Sequence, residues 1–67
     1  MNKLYYTIHE WSNEFGEYST VNVFQIENNE PIRVLNFQRD LDWTIKEQID
    51  SELEDLGTDE IFEYILL

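Results

Sequence analysis

The chain contains no cysteine, a single histidine, a single proline and only two glycines in its 67 residues. Without cysteine there is no disulfide framework and no thiolate metal cage, so a small secreted knot and a zinc ribbon are both excluded. The domain must fold on packing alone. Gly16 and Gly57 lie in opposite halves, so neither a phosphate-cradling loop nor a dinucleotide fingerprint can form, because both need clustered glycines. No apolar run approaches the roughly 18 residues that cross a bilayer, and no basic segment leads into a cleavable apolar stretch. These absences read as a cytoplasmic protein with no membrane contact. Basic residues are also scarce, with four Lys and Arg against fifteen Asp and Glu.

What is present is the composition of a folded protein. Hydrophobic residues make up 42% and aromatics 15%, including two Trp, four Tyr and four Phe that can bury large areas. A chain this short supports a single core and only marginal stability, so residues 1–67 read as one domain. The negative charge is unevenly spread. Residues 1–39 hold five acids against three bases, a net of −2, whereas residues 40–67 hold ten acids against Lys46 alone, a net of −9. Such a surface repels phosphate backbones and anionic membranes, so direct nucleic-acid or lipid binding is disfavoured and a basic partner is what it attracts.

Periodicity divides the chain in the same place. Lys3 to Trp11 is rich in aromatic and β-branched residues, and its alternation sets Leu4, Tyr6 and Ile8 on one side, which predicts a strand. Ser12 to Gly16 carries turn chemistry, and a second strand follows from about Ser19 to Glu27. Asn28-Asn29-Glu30-Pro31 marks a turn, because Asn tolerates the left-handed region and Pro fixes φ while lacking a ladder donor. A third strand, Ile32 to Gln38, folds back antiparallel on the second. Beyond Arg39 the period becomes helical: Ile45, Ile49, Leu53 and Leu56 share a stripe, predicting an amphipathic helix over about 42–56. Asp40 or Asp42 is expected to cap it, and Gly57 to end it. Residues 59–66 fit either a strand or a short helix, with strand propensity favouring the strand. The expected fold is α+β: a three-stranded antiparallel meander packed by one helix, plus that C-terminal element.

Catalysis needs a nucleophile with a base, a paired acid and base, or a cofactor loop, and the residues for these are missing. His9, on the strand face opposite Leu4, Tyr6 and Ile8, has no metal co-ligands. Asp40-Leu41-Asp42 with Thr44 superficially suggests a calcium loop, yet Ile45 stands where that loop turns on Gly and Ser51 where it needs a bidentate Glu. The expectation is therefore not an enzyme, with no cofactor and no metal.

The helix is where charge concentrates. With its apolar stripe inward, a 100° step per residue turns Glu47, Asp50 and Glu54 outward, with Trp43 beside them and with Glu52 and Asp55 flanking the stripe. Acids on this face have only Lys46 to balance them, so they repel one another in a domain with little stability to spare. In size, acidity and lack of catalytic residues the chain is similar to the small DNA-mimicking inhibitors encoded by bacteriophages, such as the uracil-DNA glycosylase inhibitors and several anti-CRISPR proteins. That similarity is one of composition and carries over no functional residue. The acidic face itself points to a carboxylate array that stands in for phosphates and blocks a basic nucleic-acid-binding protein or defence nuclease, with Trp43 or Tyr64 as apolar anchors. The alternative expectation is a structural module, such as a homodimer joined through a sheet edge or the apolar tail Ile61 to Leu67.

Overall fold

Alternating residues punctuated by two tight turns build a meander. In the computed structural model, which describes residues 2–67, its strands are β1 (Asn2–Asn13), β2 (Gly16–Glu27) and β3 (Glu30–Gln38). Helix α1 (Ile45–Asp55) follows, and then β4 (Phe62–Leu66). The fold is α+β, with one mixed sheet ordered β3-β2-β1-β4 and a single helix packed on it.

The turns explain the strand ends. Asn28 and Asn29 both take positive φ, at 52° and 64°, which is the two-residue hairpin geometry whose twist matches the flanking strands. At the first hairpin the Asn13 side chain accepts a 2.8 Å hydrogen bond from the Phe15 amide, and Gly16 takes φ 143°. The turn is thus tighter than the sequence suggested, and β2 begins at Gly16, three residues before Ser19.

Register puts the predicted alternation to use. Tyr6 lies opposite Val23, and Val23 opposite Leu35; Ile8 lies opposite Val21, and Val21 opposite Phe37. Leu4, Val21, Val23 and Leu35 from this face join Ile49 and Leu53 of α1 as the buried core, with Tyr6, Val34, Phe37, Ile45, Phe62 and Tyr64 packed around them. Ile8 remains 41% exposed because β1 and β2 run on past the helix as a projecting arm. Between Val23 and Phe24 the register slips, so that Val34 is an extra residue in β3, a bulge on the sheet edge.

In the C-terminal half the expected helix and strand are present, and the helix start and its cap are corrected. The helix starts at Ile45, not near residue 42, and its N-cap is Thr44 instead of Asp40 or Asp42. The cause is local: the Asp40 carboxylate accepts from the Asp42 amide at 3.0 Å and the Asp40 carbonyl from the Trp43 amide at 3.2 Å, so residues 40–43 form a turn of their own. The helix ends at Asp55, where Gly57 at φ 83° lets its own amide reach the Glu54 carbonyl (2.9 Å) and the Thr58 amide reach that of Leu53 (3.0 Å). Finally, the last element is a strand, shorter than residues 59–66. It lies parallel to β1, with Leu4 opposite Tyr64, and a parallel neighbour requires the long crossover that α1 provides.

Candidate functional site

Polar contacts cap the acidic helix at its start and tie it to the sheet on two sides. At the helix start, Thr44 Oγ1 accepts from the Glu47 amide at 3.1 Å while Glu47 Oε1 accepts from the Thr44 amide at 3.2 Å, a reciprocal capping box. The hydrogen bonds from Thr44 hold the Glu47 carboxyl below the usual range. On the β3 side, Gln48 Nε2 donates to the Gln38 carbonyl at 2.8 Å, and its Oε1 accepts from the Asp40 amide at 3.0 Å and from Arg39 Nη1 at 3.1 Å. One amide side chain thus ties the helix to the end of β3 and to the turn beyond it.

On the β4 side, Asp50 accepts a hydrogen bond from the Tyr64 hydroxyl and pairs with Lys46 at 2.9 Å. The Lys46 ammonium also lies 5.9 Å from the Tyr64 ring centroid. Partial burial works to raise the Asp50 carboxyl, but the Tyr64 hydrogen bond and Lys46 outweigh it and leave the group lowered. The Tyr64 phenol is raised, by burial first and then by the hydrogen bond and charge of Asp50.

The residues nominated from the sequence therefore separate. Glu47, Glu54, Asp55 and Trp43 stand exposed, Trp43 at 46%. Asp50 is also exposed but turned towards β4 and engaged there, and Glu52 is half-buried. Tyr64, expected as an apolar anchor, is half-buried on the helix-covered face as the donor to Asp50, so it is not free to meet a partner. Glu54 and Asp55 sit in the last helical turn, where no base accompanies them. That is the negative end of the helix dipole, where carboxylates are disfavoured.

The other face of the sheet differs in charge. Strand alternation places Tyr5, Phe24, Ile65 and Arg33 there in one row, with Lys3 beside Glu63 below and with Asn36, Asn22 and Thr7 in the next row. His9 lies opposite Thr20, and Trp11 opposite Tyr18 with ring centroids 4.7 Å apart; Trp11 Nε1 donates to Thr20 Oγ1 at 2.8 Å. Glu63 is the one carboxylate that alternation among the described strands puts on this face. The sequence carried that signal in the parity of Lys3, His9 and Arg33, but only the register shows that these strands present them together.

Among the described residues no three His, Cys, Asp or Glu side chains are grouped to hold a metal ion, and no helix is long and apolar enough to cross a membrane. An open groove lies where the β1–β2 arm meets the end of β3 and the turn beyond it, lined by Glu10, Glu17, Arg39 and Leu41 among others. No family model matches the chain, and no curated protein or solved structure matches it.

Proposed function

We propose that the chain is a non-catalytic binding protein whose acidic helix layer docks in the Lys- and Arg-lined groove of a nucleic-acid-binding protein, its carboxylates standing in for phosphates. The observation that carries this reading is the segregation of charge. Residues 40–60 hold nine acids against Lys46, and Lys46 is already paired with Asp50. The opposite sheet face holds Glu63 alone, beside Lys3. A solubilising surface has no need for such polarity, because mixed signs serve solubility as well and repel less. Carboxylates at the negative end of the helix dipole add a further cost that solubility does not require. Trp43, exposed at the edge of this layer, supplies an aromatic anchor of the kind that dominates binding energy. Attraction over the whole layer speeds association, and the anchor slows release.

Because Glu47 and Asp50 hold the helix in place, the clean test leaves them alone. A variant carrying Asp42→Asn, Glu54→Gln and Asp55→Asn keeps the capping box and the Tyr64 contact. Immobilised wild type is expected to retain a basic nucleic-acid-binding protein from a bacterial lysate at low salt and to release it to competing DNA. The variant is expected to bind that protein at least about tenfold more weakly, in line with loss of several charge contacts. Equal binding by variant and wild type overturns the reading.

A further inference from the structure

The two edges of the sheet are built differently. At the β3 edge, Pro31 lacks a donor, the Val34 bulge breaks the ladder and Arg33 adds a charge, which are the devices that keep a strand from pairing with another chain. The β4 edge is less defended: Phe62-Glu63-Tyr64-Ile65-Leu66 has no proline and no bulge, and Glu63 is its one charge. Its surroundings are apolar and uncovered, with Ile61 75%, Leu66 59% and Leu67 65% exposed.

From this contrast we infer that β4 pairs antiparallel with β4 of a second copy of the chain, on a two-fold axis at Tyr64, to give a continuous eight-stranded sheet. Hydrogen-bond direction permits it. The Leu67 amide donates to the Tyr6 carbonyl, so Glu63, Ile65 and Leu67 face β1 while Phe62, Tyr64 and Leu66 present their amides and carbonyls outward. Side-chain matching selects the register. Centred on Tyr64, it sets Ile61 against Leu67 of the second copy and Phe62 against Leu66, with each pair on one face, and so covers the three most exposed apolar side chains of this edge. It also sets Glu63 opposite Ile65, whereas the register centred on Glu63 would oppose two carboxylates. The helix flank above the seam carries the Lys46–Asp50 pair and, one turn on, the unpaired Glu54, so the two copies repel there at low salt.

The absence of cysteine makes the test clean. In the proposed register Glu63 and Ile65 of the second copy form a non-hydrogen-bonded pair, with Cα atoms about 4.5 Å apart, within the roughly 4.4–6.8 Å range of disulfides. Under mild oxidation, an equimolar mixture of the Glu63→Cys and Ile65→Cys proteins is expected to give the mixed covalent dimer, with little from either alone. Sedimentation equilibrium of the wild type is expected to show a concentration-dependent dimer that strengthens with added salt, because two copies each of net charge −11 repel. The proposed docking on a basic groove weakens with salt, so the two readings fail separately. Leu66→Pro removes only an outward amide and is expected to leave a monomer with unchanged circular dichroism; Leu66→Lys gives the same result without altering the backbone. Self-cross-linking of the Glu63→Cys protein alone overturns the register, and a wild type monomeric at every concentration and salt overturns the interface.

Discussion

The meander of residues 2–38 and the helix–strand unit of residues 44–66 are stabilised in different ways. In the meander each strand is joined to the next by a tight hairpin, so pairing is local and the turn residues set the register. The second unit crosses over the sheet to reach its partner strand, carries most of the charge, and depends on a few contacts: Ile49 and Leu53 in the core, Gln48 on one flank and Asp50 with Tyr64 on the other. Local pairing gives the molecule its frame, whereas the acidic unit is a load the frame carries. The largest effect is therefore expected where the two meet. Ile49 is fully buried among Leu4, Val21, Val23 and Leu35. Ile49→Ala is expected to cost about 2–5 kcal/mol, which consumes much of the stability of so small a domain, and urea titration followed by tryptophan fluorescence measures it. A loss below about 1 kcal/mol would show that the meander does not need the helix.

A smaller effect isolates the polar attachment. Tyr64→Phe keeps the ring against the core and removes the hydroxyl that Asp50 accepts. The expected cost at pH 6 is about 1 kcal/mol, below the usual worth of a hydrogen bond to a charged group because Asp50 is partly solvated. The sign of the pH dependence follows from Asp50. Its carboxyl is lowered in the folded chain, so its contribution is present above the ordinary aspartate range and is lost as pH falls through about 4 and below. The difference between wild type and Tyr64→Phe should accordingly shrink as pH drops from 6 to 2. A difference that stays constant across this range would mean the hydroxyl acts through packing and not through the Asp50 charge.

The same division governs how much could be read from the residues. The core stripe and the strand faces were legible, because Leu4, Val21, Val23, Ile49 and Leu53 obey periods of two and 3.6, and Asn28-Asn29 and Gly57 carry their own backbone geometry. The helix start was misplaced because two aspartates compete with Thr44 as cap, and Asp40 instead closes a local turn on the Asp42 amide that leaves the cap to Thr44. Gln48 went unremarked since nothing local marks a polar residue that bonds across ten positions. Of the candidate site, the exposure of Glu47 and Glu54 followed from helical spacing, whereas Trp43 is exposed in the turn before the helix. The roles of Asp50 and Tyr64 were not, because they depend on β4 lying beside β1, and parallel pairing leaves no hairpin signal in the sequence.

The smallest effect bears on whether the acidic layer is tuned for stability or for something else. Glu54 lies in the last helical turn, four residues after Asp50, so it meets both the negative helix terminus and a like charge one turn back. If the layer were optimised for folding, this position would hold a base. Glu54→Lys is therefore expected to stabilise the fold by about 0.3–1 kcal/mol at low salt, with the gain fading towards 1 M salt as screening removes both terms. Thermal unfolding at two ionic strengths measures it, and a gain confined to low salt identifies Glu54 as a carboxylate retained against the stability of the fold. No gain at either ionic strength would mean the acid costs nothing where it stands, and the charge pattern would lose its force as an argument for binding.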